Sequence, residues 1–288
     1  MYRISPGKFN ISKKYLLPFL WLISVIFLVQ VSGHQAKADY NPVSEIRSSK
    51  ELVAKTNSPV AQIVKQPSID MVNLAAQPRA IPILMYHKTP DDFEAQLAAL
   101  QAKGYTTISM TMLADYFDGL EELPLKPAVI TFDDGFGDQM QAVEMLRAHN
   151  MKATFYMIIG GANSQGCIGI TRSNLSCGDS YLNWSQVREI ASSDLIEIGA
   201  HTINHADLPS LTREEQLAEI AGSKKVLEDE LRKPISTLAY PYGKFNATTI
   251  ELASQAGFRT AVTTIGGELQ SSTNRLTLMR VRNALLLP

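Results

Sequence analysis

Cysteine is nearly absent from this chain. Its 288 residues hold two, Cys167 and Cys177, which excludes a disulfide-dense scaffold and a thiolate zinc knuckle. In an oxidising compartment the pair can close one local disulfide across a Gly/Ser/Asn-rich stretch. An excess of charge of one sign is also lacking. With 27 Lys and Arg against 28 Asp and Glu, there is no basic surface to suggest nucleic acid as a partner. No repeat of fixed period is present, so a solenoid is excluded. Histidine is scarce at five, which makes each position informative. The hydrophobic share of 45% is enough for a sizeable core without cross-links, and a monomer is expected.

Only one long apolar run occurs, residues 15–31. It follows Arg3, Lys8, Lys13 and Lys14 and precedes Ala36-Lys37-Ala38. This order favours a signal peptide over residues 1–38 with cleavage before Asp39. The run also reaches the lower limit for a span, so an uncleaved membrane tether fits too. Both readings export the remainder, to the periplasm, the medium or the cell surface. Residues 39–79 are rich in Ser, Pro, Gln, Asn and Val, with Tyr40 the one aromatic, and read as a flexible linker. A single domain is expected over 80–288.

Within that domain short apolar runs alternate with amphipathic stretches. Candidate strands cover 81–86, 106–109, 128–132, 153–159, 195–200, 235–240, 259–263 and 277–281. Candidate helices cover 92–103, 136–149, 213–232 and 246–255, the third opened by the capping box Thr212-Arg213-Glu214-Glu215. Alternation of this kind predicts an α/β fold with a parallel sheet, closed or nearly closed into a barrel. Chemistry in such folds gathers where strands end. Here His87 follows the first strand, Asp133-Asp134 the third, His201 the fifth and Pro241-Tyr242-Gly243 the sixth.

Thr131-Phe132-Asp133-Asp134-Gly135 sets two carboxylates side by side, which repel unless a metal, proton or cation lies between them. The same string also suits a surface turn. His201-Thr202-Ile203-Asn204-His205 adds two imidazoles at i and i+4, the spacing that puts both on one face of a helical turn and within reach of one cation. Two histidines and one carboxylate leave coordination positions open, as a catalytic site requires. Zn2+ is the first expectation, and Co2+, Ni2+ or Fe2+ suit the same donors.

Taken together these motifs resemble the polysaccharide deacetylases with a NodB-type domain, carbohydrate esterase family 4. The resemblance extends from about residue 81 to 283 and includes Ala153-Thr154-Phe155-Tyr156, Leu182-Asn183-Trp184, Glu197-Ile198-Gly199-Ala200 and Tyr240-Pro241-Tyr242-Gly243. It implies a distorted (β/α) barrel of about seven parallel strands that removes N-acetyl groups from a polysaccharide by attack of a metal-activated water. By the same resemblance Asp133 is the general base, and Asp134, His201 and His205 are the metal ligands. A backbone N–H near Tyr242, beside Pro241, is expected to face the oxyanion. Tyr242 and Trp184 suit an apolar wall, or equally the core.

Two family features are missing. Ala239 stands where an arginine usually orients the base, and no histidine follows His205 to act as acid. Arg280, on the last strand, is a candidate for the first role, and His87 for the second. Because a barrel is cyclic, a first strand can fill the place of a last one. This is similar to the branch that includes deacetylases of exported poly-N-acetylglucosamine. An O-acetyl esterase acting on xylan would use the same residues, and a binding domain that has lost catalysis is a further alternative. A glycosidase is a poor match, because it needs carboxylates about 5 Å or more apart across a sugar ring.

Overall fold

The computed structural model describes residues 69–163, 166–169 and 181–288. The expected leader, the linker as far as residue 68, the Cys167–Cys177 pairing and much of the 160–181 loop lie outside the described residues. Among the described residues no helix is long and apolar enough to cross a membrane.

In chain order the chain forms α1 (Ile69–Ala76), β1 (Arg79–Ala80), β2 (Ile83–Tyr86), α2 (Phe93–Ala102), β3 (Thr106–Ile108) and α3 (Met110–Phe117). Next come β4 (Pro127–Phe132), α4 (Gln139–Ala148), β5 (Ala153–Met157), β6 (Gly161–Asn163), β7 (Gly166–Ile168) and α5 (Trp184–Ala191). The last third holds β8 (Ile196–Ala200), α6 (Arg213–Leu231), β9 (Thr237–Ala239), α7 (Ala247–Gln255), β10 (Thr260–Gly266), β11 (Leu269–Gln270) and β12 (Leu278–Arg280).

Seven strands lie in the order β12-β10-β9-β8-β5-β4-β2, all pairings parallel, with β3 added along the first half of β4. The ends of this sheet meet. Met85 N donates to Val281 O and Val281 N to Ile83 O, both at 2.8 Å. The result is a nearly closed barrel, with the first strand seated between β4 and the last.

Side-chain alternation along the strands explains where the chemistry goes. Leu84, Tyr86, Ile130, Phe132, Ile196, Ile198 and Ala200 face the helices in one large cluster. Ile83, Val129, Tyr156, Ala239, Val262 and Leu278 form a second cluster that fills the barrel. Continuing the inward rows in steps of two leads from Val129 past Thr131 to Asp133, from Gly199 to His201, and from Leu278 to Arg280. The sequence therefore aims these polar groups at one rim by the same period that buries its core. At the other end of β8, Glu197 is half-buried and accepts from Met110 N at 2.7 Å, Thr111 Oγ1 at 2.5 Å and Thr154 Oγ1 at 2.8 Å. That carboxylate ties the start of α3 to the barrel, while burial pushes its pKa up.

Three helices went unread in the sequence. The expected linker ends in α1, where Ala75 joins the inner cluster with Ile81, Leu113 and Phe117, so burial compensates for a weak local pattern. Helix α3 is capped by Ser109, which accepts from Met112 N at 3.1 Å. Helix α5 opens with a capping box of Asn183 and Gln186. His149, at the end of α4, ties that helix to α2 on the surface, bonded to Gln101 at 2.8 Å and Glu94 at 2.6 Å.

Candidate active site

Asp133 extends the inward row of β4 and is 2% exposed. Its carboxylate receives a two-pronged contact from Arg280, Nη1 to Oδ1 at 2.8 Å and Nη2 to Oδ2 at 2.7 Å. Arg280 is itself held by Nε to Thr263 O at 2.7 Å and by Nη1 to Thr131 Oγ1 at 3.2 Å. Burial alone would raise the Asp133 pKa, but the Arg280 charge and hydrogen bonds, aided by the nearby His201 and His87, hold it below the usual carboxylate value. A paired guanidinium fork of this kind fixes both the charge and the orientation of the carboxylate.

The next residue turns away. Asp134 has φ 73° and Gly135 φ 78°, two left-handed positions in succession that let adjacent carboxylates serve one site from different directions. At Gly135 a Cβ would also lie 2.8 Å from Met157 Sδ, so the turn needs glycine for space as well as conformation. Asp134 Oδ1 is 3.3 Å from His201 Nε2 and 3.5 Å from His205 Nε2. One donor atom from each of the three residues falls within 4.8 Å of the others.

The histidine pair departs from the expected helical turn. Thr202 has φ 65° and His205 φ 52°, so an irregular loop with two left-handed residues brings the imidazoles together. Non-glycine residues in that region each cost about 1–2 kcal/mol. His201 Nδ1 bonds to Ala239 O at 2.7 Å, which leaves Nε2 directed at Asp134. His205 stands edge-on to His201, ring centroids 4.8 Å apart. Burial opposes a charged His201, but the Asp134 and Asp133 carboxylates raise its pKa. His205 is pushed down to about 4 by burial and by His201, so its imidazole is neutral at ordinary pH, as a ligand must be.

These residues fit a divalent ion. Asp134 Oδ1 is buried with no hydrogen-bond partner among the described residues, an arrangement that is costly for a carboxylate unless a cation accompanies it. The donor set of one carboxylate and two Nε2 atoms suits zinc and other first-row divalent ions.

The remaining sequence candidates surround this group. His87 Nε2 lies 3.9 Å from Asp133 Oδ2 with its side chain 47% exposed, so it spans base and solvent. Tyr242, 58% exposed with φ 59°, stands edge-on to His205 at 4.5 Å. Pro241 is buried at the start of that turn. Trp184 is half-buried against the main core, at the head of a helix tethered to the Asp-Asp-Gly turn by Leu182 N to Gly135 O at 2.9 Å. Two neighbours escaped sequence reasoning. Gln139 donates from Nε2 to His87 O and Asp133 O, both at 2.6 Å, and so joins the two strand ends. Glu219 receives the amides of the histidine loop. A buried glutamine in the first turn of α4 was a signal only in retrospect, and Glu219 is one of several acids on α6.

A parallel barrel with this rim defines a class, and the comparisons give the same one. The chain carries a polysaccharide deacetylase domain of the NodB type: residues 121–261 match the family described as polysaccharide deacetylase. Among its relatives is YxkH of Bacillus subtilis, a protein named as a polysaccharide deacetylase. It is 28% identical over 272 residues, covering 90% of this chain and 92% of that one. The poly-beta-1,6-N-acetyl-D-glucosamine N-deacetylase of Escherichia coli K12 is 24% identical over 57% of this chain, which spans only 29% of that protein. The structure of the Streptococcus pyogenes deacetylase PplD in complex with acetate superposes with a TM-score of 0.61 at 28% identity, covering 73% of this chain and 94% of that one.

Proposed function

We propose that this protein is an exported, metal-dependent hydrolase that removes N-acetyl groups from a cell-surface or extracellular polysaccharide. The observation that carries the reading is the orphaned Asp134 oxygen facing two imidazoles, beside a second carboxylate clamped by Arg280. Similarity to the Escherichia coli enzyme favours a β-1,6-linked N-acetylglucosamine polymer. Export rests on the apolar, lysine-flanked segment ahead of Asp39.

Asp134, His201 and His205 would hold the ion, zinc being the first choice. Once bound, it supplies Lewis acidity and a lowered water pKa. Asp133, kept ionised by Arg280, takes a proton as water adds to the acetyl carbonyl. The Tyr242 amide, on its left-handed turn, donates to the developing oxyanion. Collapse breaks the C–N bond, and His87 protonates the departing sugar nitrogen from the solvent side of the base. Acetate and the free amine leave. The Tyr242 ring beside His205 gives the acetyl methyl or a sugar ring an apolar surface.

The test is acetate release, side by side, from β-1,6-linked N-acetylglucosamine oligomers and acetylated xylan by the zinc-loaded protein. Release from the first should dominate, and preference for xylan would make it an O-acetyl esterase. Asp133→Asn and His87→Ala should each lower kcat by about 10²–10⁴-fold, the scale of general acid–base catalysis, with bound zinc retained. Unchanged turnover in either variant removes that residue from its role.

A further inference from the structure

We propose that Glu219, carried by α6, is a positioning residue of the metal centre: it holds the loop 201–205 in the form that aims both imidazoles at Asp134. The proposal rests on the metal reading above. Glu219 is buried. One of its oxygens, Oε2, accepts from Ile203 N at 2.9 Å and Asn204 N at 2.8 Å, while Oε1 accepts from Asn204 Nδ2 at 2.6 Å. All three donors belong to the two residues between the left-handed Thr202 and His205. Such conformations persist only where the surroundings over-determine them, and a carboxylate taking two successive amides does so.

The face of α6 is shaped for the same loop a second time. Gly222 lies three residues on from Glu219, so both share one side of the helix. A Cβ at Gly222 would meet Ile203 Cδ1 at 2.7 Å. Carboxylate and missing side chain together seat the Ile203-Asn204 segment, the first through its amides and the second through the Ile203 side chain. Thr202 Oγ1, accepting from His205 N at 3.1 Å, completes the hold. Outer groups that orient metal ligands commonly change metal affinity by about 10–100-fold.

The full chain tests this in two ways. In the metal-free protein, amide hydrogen exchange at Ile203 and Asn204 should be at least about tenfold faster in Glu219→Ala than in wild type, with β8 and the α6 backbone unchanged. Competition with a chromogenic chelator should give zinc binding about 10–100-fold weaker, with an altered visible spectrum for the cobalt-loaded variant. Glu219→Gln, which keeps one oxygen for both amides, should recover most of the affinity. If Glu219→Ala does not fold, Glu219→Gln and Asn204→Ala decide the matter by the same readouts, each expected to bind zinc a few-fold more weakly than wild type. Wild-type zinc affinity and cobalt spectrum in the variants, or unchanged exchange at both amides, overturns the proposal. If wild type itself binds neither ion, the metal reading fails, and the exchange rates alone then judge whether Glu219 fixes the loop.

Discussion

At the scale of single residues, the Arg280–Asp133 pair sets the conditions for everything else at the rim. Both partners are almost wholly buried, where loss of one charge strands the other at a cost of about 3–5 kcal/mol. Asp133 has a folded pKa below its ordinary value of 3.8. Its contribution to stability is therefore complete above that value and is lost only as pH falls through the lower folded value. In Arg280→Gln, burial remains without its counter-charge and the Asp133 pKa rises. The acid limb of kcat/KM should then move to higher pH, and urea unfolding should show a loss of about 3–5 kcal/mol. An acid limb that stays put would detach Arg280 from the base. The metal-site candidates were legible in the sequence because scarce histidines fell at ligand spacing after a strand. Arg280 was legible only as the answer to a vacancy at Ala239. Glu219 and Gln139 were not, since each acts mainly on backbone atoms, which carry no residue code.

At the scale of elements, the site depends on short helices more than the sequence suggested. Helices α2, α4, α6 and α7 are marked in the sequence by start or stop signals, Gly104, the Gly135 turn, the Thr212 capping box and Gly257, whereas α1, α3 and α5 are eight residues each, about two turns. The starts of α3 and α5 are set by the caps Ser109 and Asn183, which a search for apolar period passes over. The His-x-x-x-His spacing misled in the opposite sense, because i and i+4 fits a helical turn and the loop reaches the same end through Thr202 and His205. Asn183 illustrates how a cap can matter to the rim. It begins α5 one residue after Leu182, whose amide holds the carbonyl of Gly135. Asn183→Ala removes the reciprocal cap, with Asn183 accepting from Gln186 N at 3.1 Å and its own N donating to Gln186 Oε1 at 2.9 Å. A destabilisation of about 1 kcal/mol, read as a lower urea midpoint with an unchanged slope, is expected. No change would mean that the Leu182–Gly135 tether sets the helix start without the cap.

At the scale of the whole molecule, the three proposed metal ligands come from strand ends on two sides of β5. Asp134 follows β4, and both histidines follow β8. An ion binding there joins parts of the barrel that share only β5 as a neighbour, and it binds the folded chain alone. Zinc at about one hundred times its dissociation constant should therefore stabilise the fold by about 2.7 kcal/mol. For a domain of this size that raises Tm by about 5–10 °C, and a chelator should reverse the shift and stop acetate release together. A Tm indifferent to zinc and chelator would mean that these three side chains hold no ion. The barrel and its near-closure were legible from the alternation of elements. The pairs that close it, such as Val281 with β2, were not, because they form through backbone atoms that carry no residue code.

That closure has a consequence for how the chain can be cut. Arg79 reaches Pro124 O through Nη2 at 2.8 Å, and Lys126 reaches the carbonyl oxygen of Pro288 at 3.2 Å. Both flanks of the barrel therefore arrive at one loop, at the end away from the proposed metal ligands. A short linker joining them would yield a circular permutant with new termini in another loop at that end, and the same rim would assemble. Motif order along the polypeptide is then a convention of where the ring is opened, and His87 leads the list only because this ring opens just before its strand.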